Sequence, residues 1–263
     1  MLEATTPRAV PLDERANVTD VLERRVHATP DAPLFAVPTE DGGWSDVAAR
    51  EFHARVQRIA KGLIAAGLEP GDRIGLLCRT RYEWTLIDFA IWYAGAVMVP
   101  VYDTSSPAQV QWNLSDSGAV ALIVENAENA NRFALVRDAL PDVTRLWRLD
   151  EGALEALEEA GAAISDEELE ARRAATTGSD IATLIYTSGS SGSPKGCVLT
   201  HTNFVDLTRN AAAAMATVAY PGASSLLFIT LAHVYARLIS VLAVEAGVRV
   251  GHQADLSLLL PAL

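Results

Sequence analysis

The stretch Ile181 to Phe204, IATLIYTSGSSGSPKGCVLTHTNF, decides how the rest of the chain is read. Ile181 to Tyr186 are apolar apart from Thr183 and suit a buried strand. The ten residues Thr187 to Gly196 hold three glycines, four serines, and one each of threonine, proline and lysine. Cys197 to Thr200 reads as extended, and Thr202 is placed to cap a helix opened by Asn203 and Phe204. A strand, a loop of small residues and one cation are the parts of a polyphosphate cradle. Glycines let backbone N–H groups approach the oxygens, hydroxyls add donors, and lysine brings a mobile point charge.

Two other phosphate loops do not fit. A Walker A loop needs Gly-Lys-Ser/Thr, whereas Lys195 follows Pro194 and precedes Gly196. A dinucleotide fingerprint needs G-x-G-x-x-G, and Gly189, Gly192 and Gly196 are spaced otherwise. A flexible Gly/Ser linker is the plain alternative. The strand in front and the ordered strand and helix behind favour phosphate.

Composition narrows the class. Half of the 263 residues are hydrophobic and 21% are charged, which predicts a globular chain with a substantial core. A net charge of −12 argues against a nucleic-acid partner and offers anionic lipid no basic surface. Cys78 and Cys197 lie in apolar or strand-like surroundings, which points to a reducing cytoplasm and not to a disulfide framework. The apolar run Phe89 to Tyr102 is too short to span a bilayer, and the first residues lack an apolar signal core. Only Lys61 and Lys195 are lysines among 21 basic residues. Lys61 reads as an exposed helix position.

Strand and helix signals alternate along the chain. Helices are expected at 18–28, around Phe52 to Leu63 with Gly67 closing, at 82–94, after the Ser106-Pro107 cap, and at 127–139. A hairpin is expected at 34–44, and strands at 73–78, 97–101, 119–124 and 145–149. The pattern predicts an α/β fold of mostly parallel sheets layered with helices. Between Glu151 and Ala171 stand eight acidic residues and no basic one. Leu154, Leu157, Ile164 and Leu169 give this run an inward face, so two solvated helices are expected and not a metal site.

Tyr186 to Gly196 resembles the phosphate-loop signature of the AMP-forming acyl-CoA synthetases, with Ser191 where that family usually has threonine. GAVMVPVYDTSSPAQVQWNLSDSGAVALIVEN (95–126) and FITLAHVYARLISVLAVEAGVRVGH (228–252) resemble two further landmarks of the long-chain members. Thr230 stands where the usual pattern has proline. The resemblance implies the first part of the large N-terminal domain of an adenylate-forming enzyme. The motifs expected further along are not found, so residues 1–263 are expected to be an incomplete AMP-binding domain, with the C-terminal domain absent and the fragment inactive alone.

The activity implied is ATP-dependent ligation of a long-chain fatty acid to coenzyme A through an acyl adenylate. ATP, Mg²⁺, fatty acid and coenzyme A would be the small-molecule partners. The resemblance assigns Thr187, Ser188, Gly189, Ser190, Ser191, Gly192 and Lys195 to the nucleotide phosphates, with Thr187 also helping to hold Mg²⁺. It assigns Lys195 and His233 to catalysis, and His233 with Tyr235 to the acyl substrate. For Thr187 the alternative is a hydroxyl that caps the strand end. For His233, among apolar neighbours, it is a hydrogen-bonded core histidine. For the whole chain the alternatives are a nucleotide-binding or interaction module without ligase activity, and an acyl-AMP ligase. A cut sheet edge and exposed apolar residues predict self-association.

Overall fold

The computed structural model describes residues 7–187 and 194–259. Helix α1 (Thr19–Ala28) leads into strands β1 (Pro33–Pro38) and β2 (Trp44–Ala48), then α2 (Ala49–Ala65). Three strand–helix units follow: β3 (Arg73–Leu77) with α3 (Tyr82–Tyr93), β4 (Val97–Val101) with α4 (Pro107–Ser117), and β5 (Ala119–Val124) with α5 (Ala127–Ala134). Strand β6 (Arg145–Arg148) precedes α6 (Ala153–Ala160) and α7 (Asp166–Ala175). The signature stretch gives β7 (Ile181–Thr187), β8 (Lys195–Thr200) and α8 (His201–Ala214). Strand β9 (Ser224–Leu227), α9 (Val234–Ala246) and β10 (Arg249–His252) complete the order.

The strands form two sheets. One runs β6-β5-β3-β4-β7-β8 and the other β2-β1-β10-β9. All neighbours are parallel except β1 with β2 and β7 with β8. The expected α/β architecture of mostly parallel sheets is therefore present. In the larger sheet β4 and β5 lie on opposite sides of β3, so the chain reverses its winding there. Crevices at the carboxyl ends of such strands are where α/β folds place ligands.

Helix α3 sits at the centre. Its residues Tyr82 and Trp84 to Tyr93 are buried, because it is packed against α2, α7, β1 and β4. A helix apolar all round has no face to give to water. Phe35 and Phe52 pack with its Phe89 and Trp92 in a core that reaches both sheets, while Val110, Leu114, Phe133 and Leu140 form a second core beside β5.

Local expectations hold at several caps. Ser106 Oγ accepts from Gln109 N–H at 3.3 Å, and Gln109 Oε1 accepts from Ser106 N–H at 2.8 Å, closing the box that starts α4. Gly67 takes φ +81°, the left-handed conformation that stops α2. Others are corrected. The helix expected over 127–139 ends at Ala134, and a separate 3₁₀ turn covers Arg137–Ala139; the break lets Leu140 and Val143 reach the second core. The cap of α8 is Thr200, not Thr202, with Asn203 Oδ1 accepting from Thr200 N–H at 2.9 Å. The helix starts earlier because His201 is drawn into the core, where its Nδ1 accepts from Val18 N–H. Lys61 is half-buried and paired with Asp166 at 2.6 Å, not a free surface charge. The acidic run forms the two expected helices, and Glu158 bridges Arg55 at 2.8 Å and Arg58 at 2.7 Å on α2.

Candidate nucleotide and acyl site

A cavity of about 440 Å³ opens at the carboxyl ends of β4 and β7. Thr187, the last residue of β7, lines it, and so does His233, 46 residues later in the chain. The opposite wall is the Tyr102 to Asn113 stretch, with Tyr102, Ser105, Gln109 and Asn113. Among the described residues the lining carries no carboxylate, so no like charge opposes a phosphate or a fatty-acid carboxylate there. Asn113 is 5% exposed, and its Oδ1 is buried without a hydrogen-bond partner. An orphan amide costs free energy unless a bound molecule satisfies it.

Lys195 opens β8 directly opposite Thr187 in the antiparallel register. The pairing sets a hydroxyl and an ammonium on the two sides of one hairpin mouth. Ser188, Gly189, Ser190, Ser191 and Gly192 lie outside the described residues.

His233 is exposed, which removes the core-histidine alternative. It caps α9, with its Nδ1 accepting from Tyr235 N–H at 3.3 Å. That bond fixes Nδ1 as the acceptor, so the proton of the neutral ring sits on Nε2. The core histidines are His201 and His252, each held by burial at a pKa of about 4.

Tyr235 is half a turn further along α9 and does not line the cavity. It lines an apolar crevice of about 220 Å³ with Leu199, Phe204 and Leu207, and a third of about 370 Å³ between α8 and α9. Val234 is shared by the cavity and the first crevice, and Tyr235 and Leu238 by the two crevices. The cavity and the two apolar crevices thus lie side by side, with Val234, Tyr235 and Leu238 as common walls.

The family model for AMP-binding enzymes matches residues 22–258. The chain belongs to the AMP-binding enzyme family. Among its relatives, the long-chain-fatty-acid–CoA ligase FadD15 of Mycobacterium bovis is 41% identical over the whole chain, as is FadD15 of Mycobacterium tuberculosis. This AMP-binding chain spans 44% of the length of each. The N-terminal domain of FACL13 from Mycobacterium tuberculosis superposes with a TM-score of 0.76 at 25% identity, covering 94% of this chain and 60% of that one.

The AMP-binding chain also holds a residue that motif reading left without a role. Arg237, one turn after His233, is wholly buried. Its Nε and Nη2 donate to Asp88 of α3 at 3.0 and 2.6 Å, and its Nη1 to Thr183 of β7 at 2.5 Å. Trp84, Trp92 and Phe204 stack around the guanidinium at 5.3 to 5.5 Å. The cluster ties the helix that carries His233 to the strand that ends in Thr187. The signal was present as an acid in the middle of one apolar helix and a lone arginine in another, each of which needs a partner when buried.

Proposed function

We propose that this segment supplies the phosphate and acyl half of the active site of an ATP-dependent long-chain fatty acid–CoA ligase. The observation that carries the reading is the shared cavity. Thr187 and His233 face one chamber, and Val234 is a wall common to that chamber and the apolar crevice that Tyr235 lines.

In this reading Thr187, Lys195 and the Ser188 to Gly192 segment hold the nucleotide phosphates. The fatty-acid carboxylate sits near His233 with its chain in the apolar grooves. One carboxylate oxygen attacks the α-phosphorus, the bond to the bridging oxygen breaks, and pyrophosphate leaves as the acyl adenylate forms. Lys195 offsets charge that grows on the leaving pyrophosphate. The Nε2 proton of His233 is available to a carboxylate oxygen and orients the acid for attack. In the second step the thiol of coenzyme A, giving its proton to solvent, attacks the acyl carbonyl through sulfur, and AMP leaves as the carbonyl–oxygen bond breaks.

Mg²⁺ would neutralise phosphate charge. Among the described residues no group of three or more His, Cys, Asp or Glu stands together. The Thr187 hydroxyl fits as a protein ligand for an ion otherwise held by phosphate oxygens and water. We assign the enzyme to the cytoplasm on its two unpaired cysteines. Among the described residues no helix is long and apolar enough to cross a membrane. Val218, Tyr220 and Phe228 are exposed, and through such residues the isolated chain would associate with itself.

The test is exchange of labelled pyrophosphate into ATP by a full-length ligase carrying this segment. Exchange that requires a long-chain fatty acid and is lost in Thr187→Ala or Lys195→Ala supports the reading. Exchange that a short-chain or aromatic acid supports and a long-chain acid does not would overturn it.

A further inference from the structure

The mouth of the β7–β8 hairpin lies at the edge of the larger sheet, where β8 has β7 as its only strand neighbour among the described residues. Lys195 to Val198 of β8 are exposed. Sheet hydrogen bonds set the register of Thr187 against Lys195, and β7 pairs with β4 where Thr183 stands opposite Met98, four residues before the mouth. Two side-chain bonds fasten the mouth itself. Tyr186, the residue before Thr187, donates its hydroxyl to Asp116 Oδ2 at 2.7 Å. Pro194, the residue before Lys195, accepts from Trp112 Nε1 at 2.7 Å. Trp112 and Asp116 stand four residues apart on one face of α4. Between them is Asn113, whose buried side chain lines the cavity. The Tyr186 ring lies beneath Gly196, where an added Cβ would come within 3.2 Å of it. A side chain at position 196 would need this ring to shift by a few tenths of an ångström.

We infer that Trp112 and Asp116 are positioning residues that hold both stems of the phosphate-binding hairpin, and so place Thr187 and Lys195 together against the cavity. The inference rests on the reading that Thr187 and Lys195 hold phosphate. One helix fastens both stems, so Thr187 and Lys195 keep a fixed position relative to α4 and the Asn113 wall. Displacement of a positioned group by about 1 Å is enough to cost up to about a hundredfold in rate.

The test uses a full-length ligase carrying this segment, with Trp112→Phe and Tyr186→Phe, which keep an aromatic ring and remove the donor. Each is expected to lower kcat/KM for MgATP in pyrophosphate exchange by about tenfold, with KM for fatty acid changed less than about twofold. Asp116→Ala should match Tyr186→Phe, and Asp116→Asn, which keeps an acceptor for the Tyr186 hydroxyl, should restore most of the loss. That rescue separates placement from general loss of fold and remains readable if a ring variant is unstable. Lys195→Ala serves as the control on the underlying reading. If Lys195→Ala slows exchange while the α4 and Tyr186 variants only lower the melting temperature, the positioning role is overturned and the phosphate reading stands. If Lys195→Ala leaves exchange unchanged, the phosphate reading fails, and the positioning role fails with it.

Discussion

Breaking the buried pair between Arg237 and Asp88 should be among the most destabilising single changes in this chain. Arg237 is wholly buried and Asp88 is 4% exposed, so neither charge reaches water. Burial pushes the Asp88 carboxyl up to about 6, with Arg237 pulling the other way. In Asp88→Asn the guanidinium loses its counter-charge but stays enclosed by Trp84, Trp92 and Phe204. Removing one partner of a buried pair costs about 3–5 kcal/mol. That is a large share of the roughly 5–15 kcal/mol that holds a domain together. At about 2–4 °C per kcal/mol for a chain of this size, the melting temperature should fall by about 6–20 °C. Replacing both members, Asp88→Leu with Arg237→Met, removes the stranded charge and should recover most of the loss. Thermal unfolding of the 263-residue chain by circular dichroism reads all three. An Asp88→Asn protein melting within about 2 °C of the parent would refute the reasoning, as would a double variant at least as unstable as the worse single one.

Further outcomes are expected. Lys195→Ala should slow pyrophosphate exchange in the full-length ligase by about a hundredfold or more, since one lost charge-assisted contact costs about 2–4 kcal/mol at a transition state; its melting temperature should hold, because Lys195 is exposed. His233→Ala should raise KM for fatty acid more than KM for ATP, with little loss of stability, because this histidine stands at an exposed helix cap. Equal effects on both KM values would contradict its place beside the carboxylate. Stability should fall as pH drops from about 6.5 to 4. His201 and His252 are held neutral in the fold by burial and titrate near 4, so the unfolded chain binds their protons first. Each contributes a loss of about 3 kcal/mol across that window. A urea midpoint that does not fall over this range would show that these histidines are hydrated.

Much of the fold was legible because its signals are local. The Ser106-Pro107-Gln109 cap, Gly67 and the apolar run of α3 each act within one turn or one element. The pairing of β1 with β10 joins residues more than 200 positions apart, and no window of sequence displays it. Strands β9 and β10 have four residues each, too few to show a period of two. The family signature from Tyr186 to Gly196 was legible because it is written in consecutive residues. His233 lies among Leu231, Ala232, Val234 and Tyr235, which reads as core, but the start of α9 turns it outward while Leu231 and Ala232 stay buried. The ties from Trp112, Asp116 and Arg237 are long-range hydrogen bonds, and only the folded chain brings their partners together.

The most direct test of the account is fatty-acid-dependent pyrophosphate exchange in a full-length ligase carrying this segment, measured for the parent, Thr187→Ala and His233→Ala. The shared cavity predicts that a long-chain acid is required for exchange in the parent. Thr187→Ala should lose exchange at every acid concentration, and His233→Ala should regain part of it as the acid is raised. Exchange that proceeds without acid, or that neither substitution alters, would contradict the claim that these two residues bracket one reaction.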